Sequence, residues 1–246
     1  KAGLPILLLD DAASAEHYPC DLLLNQNVQA SPDKYTGRTG ARVLAGPGYA
    51  LIRADMRQAV SPRTIPERPQ RILVLVGGAD PGGHLEMLAQ AAAQALLKAG
   101  LGDGHVDAVI GPASTWQPPA DAGPMIAYHR GVKDMGALIG KADLAISSAG
   151  STVWELSLQG TPMILGASVP VEEPVGAGMA ARGAALYLGR FSDCPAEQLV
   201  AETVGLLQDS AVRRKLSTTA AALVDGRGTE RVIDAMLGFK AGNVSS

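Results

Sequence analysis

A run of small residues between an apolar segment and an amphipathic one offers the clearest chemistry in this sequence. Residues 144–146 are apolar, residues 147–151 are small, and helical spacing begins at Thr152. This order predicts a strand, a tight turn and a helix start. The first backbone N–H groups of a helix lack partners inside it and lie at the positive end of its dipole, so they attract phosphate. The candidate phosphate-binding residues are Ser148, Gly150, Ser151 and Thr152.

Glu155 lies one turn into the predicted helix, where its carboxylate can accept hydrogen bonds from a sugar diol. The alternative is a capping box, in which Thr152 caps the helix and Glu155 reaches back to it. For this tetrapeptide alone the capping box is the better interpretation. It does not explain the small residues before the cap, so both hypotheses stay open.

A second glycine-rich turn follows the apolar segment 72–76 and reads Gly77-Gly78-Ala79-Asp80. It is not GxGxxG and lacks the Walker lysine, so alone it is a weak signal. Two strand-to-helix turns of this kind favour a nucleotide crevice more strongly than either does alone. Gly78 and Asp80 are therefore candidate binding residues.

Other polar residues follow predicted strands or open predicted helices. Glu172 and Glu173 precede a helical segment, where they can face a polyol or lie in a solvated turn, and the sequence favours neither. Asp11, Asn25 and Asn27 follow strands, where turn and Asx chemistry is the simpler explanation. Because neighbouring side chains on a strand point to opposite faces, adjacent carboxylates there do not form an acid/base pair.

The four histidines are dispersed, and no HExxH, His/Cys cluster or GxSxG elbow accompanies them. We interpret all four as structural, although the interpretation is weaker for two of them. We predict no metal site and no cofactor. The histidines are His17, His84, His105 and His129, of which His84 and His129 are the less secure.

Composition excludes several functional classes. The 246 residues are 47% apolar and 18% charged, with a net charge of −3, which supports a full core and argues against a nucleic-acid partner. Two cysteines far apart suit a reducing cytoplasm. No apolar run approaches the roughly 20 residues of a membrane span, and we expect no signal peptide. We predict a cytoplasmic protein without a membrane span.

Short apolar segments alternate with amphipathic ones, which predicts parallel, doubly wound α/β sheets that bind ligands at the carboxyl ends of their strands. The predicted strands are 6–9, 22–24, 41–44, 72–76, 106–110, 125–128, 144–146, 163–165 and 185–188. The predicted helices are 85–99, 134–141, 152–159, 177–182, 196–208, 211–224 and 228–236.

The first residues repeat a helix ending found later in the chain. Lys1-Ala2-Gly3-Leu4 recurs at 98–101, where Gly100 occupies the position of a C′ cap. By analogy we expect Lys1–Gly3 to be the tail of a helix, with a further segment before it.

Two groups of motifs resemble known families. His129-Arg130-Gly131-Val132, residues 142–155 and Gly160-Thr161-Pro162 look like the C-terminal nucleotide-sugar-binding domain of the GT-B fold, as in the lipid II N-acetylglucosaminyltransferase. Upstream, the similarity is to the UDP-2,4-diacetamido-2,4,6-trideoxy-β-L-altropyranose hydrolases of pseudaminic acid biosynthesis. The segments that carry it are Leu9-Asp10-Asp11, 20–27, Tyr35, 46–53 and Gly77-Gly78-Ala79-Asp80.

The resemblance implies a GT-B-like fold of two Rossmann-like domains with parallel sheets, the first one incomplete. It divides the chain into an N-terminal domain remnant, a proline-rich linker, a UDP-sugar-binding domain and a tail, which are 1–60, 61–70, 71–240 and 241–246. Backbone near Val132 and Met135 would meet uracil, Glu155 the ribose, and the N–H groups of residues 150–152 the diphosphate. Glu172 and Glu173 match sugar-binding positions, although glutamine is commoner there in the transferase.

The resemblance also implies the reaction: hydrolysis of a UDP-linked diacetamido sugar to the free sugar and UDP. The family's catalytic histidine lies in a glycine-rich loop that this sequence lacks, so no catalytic residue is expected here. One alternative is a sugar transferase of the same fold. Another is a non-catalytic nucleotide-sugar-binding module, completed by the missing N-terminal domain as a separate partner chain.

Overall fold

The computed structural model describes residues 4–60, 63–121 and 123–238, so the helix tail predicted at Lys1–Gly3 and the tail at 241–246 lie outside the described residues. The strands are β1 Leu7–Leu9, β2 Leu22–Asn25, β3 Arg42–Ala45, β4 Arg71–Leu75, β5 His105–Ile110, β6 Ile126–Arg130, β7 Leu144–Ser148, β8 Met163–Ala167 and β9 Leu186–Arg190. The helices are α1 Ala54–Gln58, α2 Leu85–Lys98, α3 Met135–Lys141, α4 Thr152–Leu158, α5 Glu173–Ala181, α6 Ala196–Gln208, α7 Ser210–Ala221 and α8 Gly228–Leu237.

The strands form two parallel sheets. One has three strands in the order β1-β2-β3, and the other has six in the order β6-β5-β4-β7-β8-β9. In the larger sheet the chain moves outward from β4 to β5 and β6, then returns to β7 and moves outward on the other side. The strand order therefore reverses between β4 and β7, which is where open α/β sheets bind ligands.

The chain divides into two compact units. The first comprises residues 1–53 and 223–246, and the second comprises residues 54–222. Relative to the predicted domains, residues 54–60 group with the second unit and α8 with the first. Compact units need not coincide with domains, so the predicted domain division stays a prediction.

The second unit has its main core between one face of the six-stranded sheet and helices α2 and α6. Alternate residues of β4, Ile72 and Val74, are fully buried against the apolar stripe of α2, which includes Leu88 and Ala92. Gly100 lies two residues after the last residue of α2, Lys98, and its φ of 75° is in the left-handed region. Its N–H donates to Leu97 O (3.1 Å) and that of Leu101 to Leu96 O (2.8 Å), so the predicted C′ cap is confirmed.

In the first unit, α8 covers one face of the three-stranded sheet. Val232 and Ala235 of α8 pack on Leu22, Leu24 and Leu44. Tyr18, Leu23 and Tyr35 form a smaller cluster in this unit. Gly228 starts α8 next to backbone: a Cβ there would lie 2.2 Å from Ala50 O, so a larger residue does not fit.

Two predicted helices need correction, and one helix was missed. Helix α5 begins at Glu173 rather than at 177, because Pro174 in the first turn lacks only an N–H that would have no helical partner. Helix α7 runs from Ser210 to Ala221 rather than over 211–224, with Asp209 accepting from Val212 N–H at its start (2.9 Å). Helix α1 was not predicted, because five residues are too few to show helical periodicity.

Candidate functional site

A cavity of about 370 Å³ lies in the second unit at the carboxyl ends of β4 and β7, where the strand order reverses. Both glycine-rich turns contribute to its wall. The predicted site residues that line it are Gly78, Met135, Ser148, Gly150, Ser151, Thr152, Glu155 and Glu172. The lining residues that sequence reasoning did not single out for binding are Leu75, Val76, Gly77, Val109, Gly111 and Pro112.

Close backbone contact between two loops forms part of the cavity wall. A Cβ on Gly111, which follows β5, would lie 2.3 Å from both Gly77 O and Gly78 O, so this loop approaches the turn after β4 as closely as backbone permits. Ser148 Oγ lies 3.7 Å from a Cβ built on Gly77 and 3.8 Å from one on Gly150. The Ser148 hydroxyl therefore lies between the two glycine-rich turns.

The start of α4 is open to a ligand. Ser151 precedes the helix with helical angles (φ −61°, ψ −24°), and its side chain makes no capping hydrogen bond. Thr152 is the first residue of α4 rather than the residue before it, so the capping box of Thr152 and Glu155 stays a hypothesis beside phosphate binding. None of the described residues that line the cavity is Lys or Arg. An anion held here would depend on backbone N–H groups and hydroxyls.

Glu172 approaches Gly150, in the turn before α4. Its Oε2 accepts a 2.7 Å hydrogen bond from Ser168 N–H, just after β8. Its Oε1 lies 3.0 Å from the position of a Cβ on Gly150. With Glu155 it places two carboxylates on the wall, and carboxylates accept hydrogen bonds from hydroxyl and amide groups.

Glu173 and Val132 do not line this cavity. Glu173 Oε1 accepts from Arg190 Nε (2.8 Å) and Nη2 (2.6 Å), so its carboxylate forms an ion pair with the end of β9. Val132 lies half-buried in the loop between β6 and α3, next to Gly131 with φ 66°. Met135, the first residue of α3, lines the cavity from the same region.

Asp80 also lies away from the lining, because its carboxylate caps α2. Oδ1 accepts from His84 N–H (2.9 Å) and Oδ2 from Leu85 N–H (3.1 Å). Its φ of 46° is unusual for a residue with a side chain. The anion-binding end of α2 is thus already occupied by a carboxylate of the same chain.

Asp11, Asn25 and Asn27 belong to the first unit, where they hydrogen-bond to one another and to their neighbours. Asn25 Nδ2 donates to Tyr35 Oη (2.7 Å), and Asn25 Oδ1 accepts from Asn27 N–H (3.0 Å), which is an Asx turn. Asn27 Nδ2 donates to Asp11 O (3.2 Å) and Oδ1 (3.1 Å). Burial and the hydrogen bond to Asp10 raise the pKa of the Tyr35 hydroxyl above its ordinary range.

No histidine is among the residues described as lining the cavity. The His84 ring lies 5.7 Å from the Phe191 ring, centroid to centroid. The Nε2 atoms of His105 and His129 lie 3.2 and 2.7 Å from Asp107 Oδ1, and Arg71 Nη1 lies 3.3 Å from Asp107 Oδ2. Across the described ranges, no three His, Cys, Asp or Glu side chains are grouped to hold a metal. Equally, no described helix combines the length and apolarity needed to cross a membrane.

Sequence comparison finds one informative relative, while no family model matches the chain. The spore coat polysaccharide biosynthesis protein SpsG of Bacillus subtilis (strain 168) is 28% identical over 195 residues, which is 78% of this chain. The chain spans 57% of that protein's length.

Structure comparison identifies the fold. MurG of Acinetobacter baumannii matches 96% of this chain and 67% of its own, with a TM-score of 0.62 at 17% identity. A putative UDP-N-acetylglucosamine 2-epimerase from Listeria monocytogenes matches 88% of this chain and 59% of its own, with a TM-score of 0.61 at 15% identity. A glycosyltransferase of kitacinnamycin gives a TM-score of 0.57 at 19% identity, over 88% of this chain and 55% of its own. The predicted GT-B-like α/β fold with parallel sheets is confirmed.

Proposed function

We propose that the cavity binds the nucleoside diphosphate of a UDP-linked sugar, and that the protein acts in the biosynthesis of a polysaccharide or of a nonulosonic acid such as pseudaminic acid. The observation that carries the proposal is the place of the cavity: it lies at the reversal of strand order and is lined by the start of α4, before which Ser151 makes no capping hydrogen bond. Both features favour a nucleotide phosphate. The similarity to SpsG supports the pathway class.

Each part of the ligand has a matching part of the cavity. The N–H groups of residues 150–152 and the Ser148 hydroxyl would take the diphosphate, and Gly78 leaves room for it. Glu155 would accept from the ribose hydroxyls. Met135, with the backbone near Val132, would meet uracil, and Glu172 would accept from the sugar.

For the reaction we propose hydrolysis of a UDP-linked 2,4-diacetamido-2,4,6-trideoxy hexose by a longer protein in the cytoplasm. Hydrolysis needs a general base beside the attacking water and donors that stabilise the leaving diphosphate. The cavity supplies donors, whereas its two described carboxylates are assigned to ribose and sugar. The base would then come from residues outside this chain.

The alternative reaction is transfer of the sugar to an acceptor. Its support is the fold that the chain shares with MurG and with the glycosyltransferase of kitacinnamycin. Transfer would need an acceptor-binding surface in the remainder of the longer protein. The third candidate, a non-catalytic nucleotide-sugar-binding module, shares the cavity chemistry and differs only in having no turnover with any partner.

Calorimetric titration with UDP, ADP and GDP, each with and without EDTA, tests the ligand class. We expect UDP to bind most tightly and EDTA to have no effect, because backbone N–H groups take the place of a metal. Equal affinity for the three diphosphates would contradict the uracil assignment. Loss of binding in EDTA would contradict the metal-free phosphate site.

A further inference from the structure

Arg63 joins the C-terminal ends of the two helices whose N-terminal ends line the cavity. Its Nη1 donates to Ala142 O (2.6 Å) and its Nη2 to Ile139 O (2.9 Å), both at the end of α3. Its Nε donates to Gln159 O (2.7 Å) and its Nη2 to Thr161 Oγ1 (2.9 Å), both just after α4. One guanidinium therefore holds both helix ends.

A hydrogen-bonded path leads from Arg63 to the cavity wall. Gln159, whose carbonyl accepts from Arg63, donates from its buried side-chain amide to Gly136 O (3.0 Å). Gly136 follows Met135, which lines the cavity. The helices are also closely packed, since a Cβ on Gly140 would lie 3.1 Å from Gln159 Oε1.

The chemistry of the junction requires an arginine. The last carbonyls of a helix have no intrahelical partner and lie at the negative end of its dipole, so a cation with several donors satisfies them best. Burial lowers the pKa of the Arg63 guanidinium below its ordinary value, with Asp143 opposing that shift. A shorter or single-headed donor cannot reach both helix ends together.

We propose that Arg63 is a positioning residue of the nucleotide-sugar site, fixing the spacing between Met135 on α3 and the phosphate turn at the start of α4. The proposal rests on the proposed function. Arg63, which lies in the proline-rich segment, would then influence nucleotide affinity without contacting the ligand.

Arg213 provides a matched control. It is fully buried and donates to Leu207 O (2.6 Å) and Leu206 O at the end of α6, and to Pro66 O in the proline-rich segment. It therefore performs the same type of helix-end contact in the same unit. None of these acceptors belongs to α3 or α4.

The test compares Arg63→Lys and Arg213→Lys with the wild-type chain by calorimetric titration of UDP and by thermal melting. Both variants should melt earlier. Arg63→Lys should bind UDP about two- to thirtyfold more weakly, with one site per folded molecule, because local displacement changes affinity rather than the folded fraction. Arg213→Lys should keep the wild-type dissociation constant.

The outcomes separate the two proposals. If the wild-type chain does not bind UDP, the proposed function fails. If it binds UDP and Arg63→Lys binds equally well, or if both variants weaken binding alike, Arg63 is structural only and the inference is overturned. Should Arg63→Lys not fold, Gln159→Met interrupts the same path at Gly136 and should weaken UDP binding in the same direction, and unchanged affinity there would also overturn the inference.

Discussion

At the scale of single residues, the two carboxylates of the cavity come from different elements. Glu172 is oriented by Ser168 N–H and by contact with Gly150, so its position is set by the chain itself. Glu155 projects from the first turn of α4, beside the positive end of the helix. A ligand that carries both phosphate and hydroxyl groups would contact the helix end and the Glu155 carboxylate together.

Glu155→Gln should weaken UDP binding by about 1–3 kcal/mol, because charge-assisted hydrogen bonds to the ribose are lost. Calorimetry and thermal melting on the same variant check this, and the melting temperature should change little. Glu197→Gln is the matched control, since Glu197 lies exposed in the first turn of α6, outside the cavity. A variant that loses stability but keeps its affinity would instead indicate a purely structural Glu155.

At the scale of elements, α2 and α4 both follow a glycine-rich turn, but the surroundings of their first N–H groups differ. Helix α2 has its first N–H groups bound by the Asp80 carboxylate. Before helix α4, Ser151 makes no capping hydrogen bond, and the first residues of α4 line the cavity. The two turns look alike in sequence, and only the side chain placed above the helix end distinguishes them.

Asp80→Ala should destabilise the fold by about 1–2 kcal/mol, through loss of the cap and strain at a positive φ, and leave UDP affinity unchanged. Asp80→Asn should be milder, because asparagine retains an acceptor and tolerates that backbone. Asp209→Ala removes the side-chain cap of α7 outside the cavity and serves as reference for cap loss. Denaturant unfolding and UDP titration measure both quantities. If UDP affinity fell with Asp80→Ala but not with Asp209→Ala, Asp80 would be a binding residue after all.

Prediction from sequence succeeded where burial produces a strong pattern. The strands of both sheets were placed to within about two residues. The pattern is strongest for strands buried along their whole length, such as β8, whose residues 163–165 form a short apolar run. Short elements such as α1 carry no such pattern. The start of α5 was predicted too late because of Pro174. A proline usually indicates the end of a helix, but it is also well suited to the first turn.

The cavity was predictable only in part. Local sequence predicted two parts of its lining, namely the small residues before α4 and the turn at Gly78. Gly111 and Pro112 also follow an apolar strand, so the sequence does contain a signal for them. Their contact with the turn after β4, however, depends on β4 and β5 being adjacent in space. The role of Arg63 depends on acceptors 76 to 98 residues away, for which no local pattern exists.

At the scale of the molecule, binding and hydrolysis should separate. The chain alone should bind UDP but release no free sugar from the UDP-linked diacetamido sugar, because a general base contributes about 10²–10⁴-fold and none is assigned in the cavity. An assay for UDP release measures this. Under the proposed function, adding the expected N-terminal segment should restore turnover, and replacing the histidine that the resemblance implies for its glycine-rich loop should abolish turnover again. Turnover by these 246 residues at an ordinary enzyme rate would require reconsidering His17, His84 and His129.

The anchoring of Arg63 decides where this polypeptide can be cut for separate expression. A gene fragment that starts at residue 71, after the prolines, would lack the guanidinium and leave the carbonyl ends of α3 and α4 without their donor. One that ran to residue 240 would carry α8 away from the leucines on which it packs, exposing an apolar stripe to water. A fragment that carries the cavity should therefore begin at Ala54 and stop at Ala222, where the compact unit itself begins and ends.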